Sequence, residues 1–318
     1  MQQKLLVITG PTAAGKTALG IRMAQTLNGE IVSADSMQVY RGMDIGTAKP
    51  TVAEQAGVPH WMLDVAEPQE GYSVARYVTE ATACVEDILS RGKLPIIVGG
   101  TGLYIDALLR GQGFAPGTRA DEGSDAYRDA WNDRYDKEGG AVLWQELKEI
   151  DPETAGRLHP NDKKRVVRAL EVYHLTGQTI TAHNHATQAV PPRYQAVKIA
   201  LTAKDRSDLY SRIDRRVEEM VSMGLEGEVA SLLAQGLSAE HTAMQAIGYK
   251  EMVRFLAGEV PLEAAMDDIK RESRRYAKRQ LSWLRRDEAV DWILWDGAPD
   301  MDRAVQVSTE FWRTNGII

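Results

Sequence analysis

The sequence predicts an α/β fold: a parallel sheet flanked by helices and interrupted by an all-helical insertion. Three observations predict it. Short apolar runs rich in branched residues at 5–8, 30–33 and 94–98 alternate with stretches of helical period at 16–27 and 74–91, the β-α-β rhythm of a sheet covered on both faces. Directly after the first run stands Gly10-Pro11-Thr12-Ala13-Ala14-Gly15-Lys16-Thr17, which fits G-x-x-x-x-G-K-[ST] at every fixed position, between a strand and a helix. Beyond Phe114-Ala115-Pro116-Gly117 the texture turns charged and helical as far as about Thr187, and an apolar run at 196–201 then returns the chain to the sheet. The expected organisation is a P-loop NTPase-like core at 1–114 and 196–318, with 115–195 inserted as a helical domain.

The remaining elements follow in order. Helical period resumes at 206–223, 225–235, 245–257 and over a long basic stretch at 262–286, before a short strand at 292–295 and a terminal helix. Residues 39–50 carry glycines and no clear period, which reads as a functional loop. The 318 residues are 43% hydrophobic, ample for a buried core, and 45 acidic against 38 basic residues give a net charge of −7, which argues against non-specific nucleic-acid binding. A single cysteine, Cys84, excludes an intrachain disulfide framework and reads as a small core residue. With no leader-like segment and no apolar run near the ~20 residues of a membrane helix, the expected compartment is the cytoplasm, with no membrane partner.

In the P-loop, backbone N–H groups and a helix N-terminus face a polyphosphate, Lys16 adds a mobile positive charge, and Thr17 is placed to ligate Mg²⁺. The motif reports a polyphosphate, not which one. The second strand runs into Asp35, a metal-bound or base carboxylate at the carboxyl edge of the sheet, or an ordinary turn Asp. The third strand ends in Val98-Gly99-Gly100-Thr101-Gly102 without the Asp an ordinary NTPase places there for Mg²⁺. The glycines allow close backbone approach to a ligand, with Thr101 adding a hydroxyl; a plain tight turn is the alternative. Basic residues concentrate at Lys270-Arg271, Arg274-Arg275, Lys278-Arg279 and Arg285-Arg286, interleaved with Tyr276 and Trp283, and again at Lys163-Lys164-Arg165 with Arg168. On an acidic chain such clusters point to a directed nucleic-acid surface, the bland alternative being a solvated helix face.

Taken together the sequence resembles the tRNA dimethylallyltransferases, also called tRNA isopentenyltransferases. The segments that carry the resemblance are the P-loop, Asp35-Ser36-Met37-Gln38 with the loop through Pro50, and Val98 through Tyr104. His159-Pro160-Asn161-Asp162 with Arg165 and Arg168, Gln245-Ala246-Ile247-Gly248-Tyr249-Lys250-Glu251, and Arg275 through Gln280 complete it. The poorest match is at 114–140. The resemblance implies that the P-loop holds the diphosphate of dimethylallyl diphosphate, with Mg²⁺ shared between it and Thr17. The acceptor is then N6 of the adenosine immediately 3′ of the anticodon, extruded from its stack, with Asp35 taking its proton. Thr101 would position the amine or the diphosphate, and Arg216 would be a further diphosphate contact beside Lys16. Ser36, Met37, Gln38, Lys164, Arg165, Val166, Val167, Arg168, residues 245–250, Arg275, Lys278 and Arg279 would contact tRNA, Arg128 more loosely, and the enzyme is expected to act as a monomer.

Two other enzymes fit the P-loop alone, a small-molecule kinase and a prenyltransferase acting on free adenine nucleotides. Neither accounts for the large insertion and two basic clusters. A non-catalytic nucleotide switch leaves Asp35 and the glycine turn without a task.

Overall fold

The computed structural model describes residues 3–111, 124–188 and 191–315. Six strands, β1 (Lys4–Thr9), β2 (Gly29–Ser33), β3 (His60–Trp61), β4 (Leu94–Val98), β5 (Gln195–Ala203) and β6 (Val290–Trp295), form one sheet in the order β3-β2-β4-β1-β5-β6. Every pairing is parallel. The apolar runs are continuous rather than alternating because both faces are covered: Leu5, Leu6, Val7 and Ile8 are all fully buried.

The helices are α1 (Lys16–Leu27), α2 (Val52–Gln55), α3 (Val74–Ser90), α4 (Gly102–Arg110), α5 (Ser124–Glu138), α6 (Gly140–Ile150) and α7 (Pro152–Arg157). They continue as α8 (Lys163–Thr176), α9 (Ile180–Gln188), α10 (Arg206–Ser222), α11 (Leu225–Ala234), α12 (Tyr249–Leu256), α13 (Leu262–Leu284) and α14 (Met301–Thr314). No helix among the described residues is long and apolar enough to cross a membrane. One core joins Leu6, Ile31, Ile96 and Ile199 of the strands to Leu19 and Met23 of α1 and Trp312 of α14.

The chain divides into two compact units, the first holding the sheet (1–71, 78–109 and 193–318) and the second holding 72–77 and 110–192. The expected boundary at 114/115 falls outside the described residues. In the helical unit Trp131, Leu143, Leu147, Val166, Val167 and Leu170 build a separate core. Within it Glu171, fully buried, accepts from Arg128 Nη2 at 2.9 Å and Arg168 Nη1 at 3.1 Å. Such a buried carboxylate persists only when paired and hydrogen-bonded.

Three elements differ from expectation. Strand β3, of two residues, and the single-turn α2 are too short to leave a periodic signal. The helix expected from Gln245 begins only at Tyr249: the 3-10 turn Ala243–Gln245 ends in an extended Ala246, and a turn through Gly248, with φ +99°, leads into the helix. The loop at 39–50 is a set of turns pinned from far away, because the Glu228 carboxylate accepts from the N–H groups of Asp44 (2.9 Å), Ile45 (2.7 Å) and Gly46 (3.1 Å).

Candidate active site

The chemistry-bearing residues gather at the carboxyl edge of the sheet, where open parallel sheets present their ligand sites. After β1 the chain turns at Gly10, with φ +143°, where a Cβ would lie 2.3 Å from the Leu201 carbonyl oxygen of β5. Only glycine fits there. Gly15, φ +92°, caps α1, and Trp295 Nε1 donates to the Ala14 carbonyl at 2.9 Å, tying the loop to β6. The half-buried Lys16 folds back over the loop, its Nζ donating to the Pro11 carbonyl at 2.9 Å. Burial first, then the charge of Arg216, brings its ammonium down to about 8, with Asp35 acting in the opposite direction.

Arg216 comes from α10. Burial lowers its guanidinium while the Asp35 carboxylate raises it, and it makes no hydrogen bond among the described residues. Lys16, Arg216 and Asp35 thus act on one another, and Glu219 and Glu54 also act on Arg216.

Asp35 follows β2 and accepts the Met37 N–H on Oδ1 at 2.9 Å. Its turn is pressed against the turn after β4: a Cβ on Gly99 would fall 2.2 Å from the Ala34 carbonyl oxygen, which accepts the Thr101 N–H at 3.1 Å. Thr101 Oγ1 in return accepts the Ser36 N–H at 3.1 Å. The glycines thus allow backbone to approach backbone.

Two cavities open here. One of about 930 Å³ is walled by Gly15, Lys16, Thr17, Asp35 and Arg216. The other, about 300 Å³, is walled by Met37, Ile213, Gln245, Ile247, Ile269 and Arg279. Thr12, Asp35, Arg216 and Tyr276 border both. The two cavities meet at one carboxylate, Asp35.

The structure brings together Lys16, Thr17, Asp35 and Arg216, and puts Ser36, Met37, Gln245, Ala246 and Ile247 on the wall of the second cavity. Thr101 is on neither wall and stands behind Ser36 and Tyr276. The Gln38 amide donates to the carbonyls of Thr47 and Ala48, both at 3.2 Å, so it staples the loop. Tyr249 is fully buried with its hydroxyl on Glu228 at 2.5 Å, while Lys250 lies beside Glu251. Arg275, Lys278 and Arg279 are exposed on α13. On α8 of the helical unit Lys164 and Arg165 are exposed, Val166 and Val167 face that unit's core, and Arg128 and Arg168 hold Glu171. Sequence reasoning missed Gln280, whose amide accepts the Thr12 N–H at 2.9 Å and donates to the Gly100 carbonyl at 3.0 Å. Its signal, a Gln four residues after Tyr276 on one helix face, was masked by the basic residues between them.

Against known families, the IPP transferases match this chain over residues 38–287. The chain belongs to that family. A tRNA dimethylallyltransferase of Geobacillus thermodenitrificans is 49% identical over 293 residues, 92% of this chain and 91% of its own. That of Thermoanaerobacter sp. strain X514 is 45% identical over 297 residues, 93% of each. Among solved structures, the tRNA isopentenylpyrophosphate transferase of Bacillus halodurans superposes with TM-score 0.71 at 44% identity, covering 98% of this chain and 96% of that one. A eukaryotic dimethylallyltransferase acting on tRNA superposes with TM-score 0.80 at 29% identity, over 98% of this chain and 80% of its own. The family is one of transferases, and the six-stranded parallel α/β architecture is the one these structures share.

Proposed function

We propose that the protein transfers a dimethylallyl group from dimethylallyl diphosphate to N6 of the adenosine immediately 3′ of the anticodon in tRNA, releasing diphosphate. The single observation that carries this reading is the junction at Asp35 between a cavity walled by Lys16, Thr17 and Arg216 and a second one walled by Met37, Ile213, Ile247 and Ile269. The donor diphosphate lies along residues 10–17, with Lys16 and Arg216 neutralising charge that grows as the allylic C–O bond breaks. The adenine enters the second cavity from an extruded nucleotide. Its N6 lone pair is delocalised into the ring, so Asp35 accepts the proton as the new C–N bond forms.

Thr17, in the wall of the first cavity and without a side-chain hydrogen bond among the described residues, suits a single hard-ion ligand. No cluster of three His, Cys, Asp or Glu able to hold a metal occurs among those residues, so diphosphate oxygens would complete the shell of Mg²⁺. Bound there, Mg²⁺ would supply charge neutralisation on the leaving group. Arg275, Lys278 and Arg279, with Lys164 and Arg165 of the helical unit, meet RNA phosphates. Met37 and residues 245–247 shape the base pocket. The protein acts as a monomer in the cytoplasm.

The test is a transfer assay with radiolabelled dimethylallyl diphosphate, Mg²⁺ and unmodified tRNA, with labelled AMP and ATP in parallel tubes. Label on a tRNA adenosine is the expected result. Label on AMP alone would assign a free-nucleotide prenyltransferase, and phosphate transfer from ATP a kinase.

A further inference from the structure

Helix α13 turns one face toward the turn after β4, and the turn carries glycine where that face meets it. Trp283 Nε1 donates to Asp106 at 3.0 Å, and its ring lies so close over Gly102 that a Cβ there would be 2.4 Å away. Three residues earlier on the same face, Gln280 is buried and holds two partners at once. Its Oε1 accepts the Thr12 N–H of the phosphate loop at 2.9 Å, and its Nε2 donates to the Gly100 carbonyl at 3.0 Å. The two partners fix which way the amide faces. A carboxylate or an ammonium in its place would satisfy only one of them.

Those partners belong to opposite halves of the site. Thr12 lies in the phosphate loop and walls the first cavity together with Gln280. Gly100 stands next to Thr101, whose N–H donates to the Ala34 carbonyl at 3.1 Å and whose Oγ1 accepts the Ser36 N–H at 3.1 Å. Thr101 therefore grips the backbone on both sides of Asp35, and the Gln280 amide joins that grip to the phosphate loop. Gly100 does not have a positive φ, yet a Cβ on it would lie 2.2 Å from Gln280 Nε2. The glycine at this position makes room for the amide.

Resting on the function proposed above, we infer that Gln280 is a positioning residue for the transfer step: its amide sets the placement of the phosphate loop, which holds the donor, relative to the turn that presents Asp35. Both polar atoms of the amide already have a partner in the protein. Gln280 thus acts on where the diphosphate sits with respect to the base, and the remaining loop N–H groups and Lys16 determine how tightly it is held.

Gln280→Met keeps the length of the side chain and removes both hydrogen bonds, whereas Gly100→Ala leaves Gln280 in place and displaces its amide. Single-turnover transfer with both substrates saturating, donor and tRNA affinities, and melting temperature are measured for the unaltered protein, each variant and the double variant, with rates taken well below the lowest melting point. The expected result is a rate lowered roughly ten- to a hundredfold in each single variant, the cost of displacing reacting groups by about 1 Å, at unchanged donor and tRNA affinities. The double variant is expected to be no slower than the slower single one, because the two changes break one contact. Should Gln280→Met not fold, Gly100→Ala carries the same expectation. An unaltered rate beside a lowered melting temperature would overturn the inference and leave Gln280 a fastening of the fold. Weakened donor or tRNA affinity at unaltered rate, or multiplicative losses in the double variant, would overturn it too. Absence of transfer by the unaltered protein, in contrast, defeats the proposed function itself.

Discussion

The two ends of strand β2 each carry a carboxylate, and the two are treated in opposite ways. Glu30, at the amino end and 1% exposed, is saturated. It accepts from Trp61 Nε1 at 2.8 Å, Lys93 Nζ at 2.7 Å and two nitrogens of Arg91, and these partners, Arg91 foremost, bring it down to about 2 against the cost of burial. Asp35, just beyond the carboxyl end, accepts one backbone N–H and faces Lys16 and Arg216 without a hydrogen bond to either. A saturated charge fastens the fold, while an unsaturated set of charges beside a cavity is set up for a ligand. The lesson is to ask of each buried or half-buried charge whether its partners are complete.

Several substitutions break or sharpen that contrast. The largest effect belongs to Asp35→Ala, which lowers the transfer rate by roughly 100- to 10,000-fold, the range of a lost general base. Its tRNA affinity and melting temperature stay unchanged; collapse of either would recast Asp35 as a structural residue. Next, Arg216→Ala weakens donor binding by about ten- to a hundredfold, as expected when a charge-assisted bond to phosphate is removed. Isothermal titration with dimethylallyl diphosphate reads it directly.

Glu30→Gln acts on the fold instead. Exchanging a carboxylate held by half-exposed cations for a neutral amide costs about 1–3 kcal/mol of stability by denaturant unfolding, with transfer kinetics unaltered. The sign with pH follows from the lowered carboxyl: the stabilisation is complete above the ordinary value of 4.5 and disappears as pH falls toward about 2. The variant should show a flatter acid limb.

At Lys16 the pH dependence lies on the other side. Donor binding favours the ammonium, so kcat/KM for the donor is level below pH 8 and falls above it as the free protein loses that proton. Lys16→Arg removes the falling limb. The smallest effect is expected from replacing Lys278 and Arg279 together by Ala. These exposed cations make no ion pair among the described residues, and losing two phosphate contacts reduces the slope of log affinity against log salt by about 1.5.

The sheet was legible because burial on both faces leaves uninterrupted apolar runs, as at Leu5, Leu6, Val7 and Ile8. The phosphate loop was legible because glycine at 10 and 15 answers a backbone requirement that shows in the residue type. Partnerships across long sequence separation were not. Nothing near residues 44–46 announces Glu228, and Gln280 lies 180 residues beyond the Gly100 carbonyl it holds. Residues 245–248 were read as helix because one glycine of positive φ is invisible to a periodicity count. Likewise the basic run at 163–168 hid two valines that face the helical unit's core and an arginine committed to Glu171.

The contrast between the two carboxylates is tested most directly by measuring single-turnover transfer and equilibrium unfolding on the same preparations of Asp35→Asn and Glu30→Gln. The account predicts a double dissociation: Asp35→Asn loses transfer and keeps its stability, while Glu30→Gln loses stability and keeps its transfer rate. Transfer at the unaltered rate by Asp35→Asn would contradict the account, because the carboxylate at the junction of the two cavities would then have no part in the chemistry.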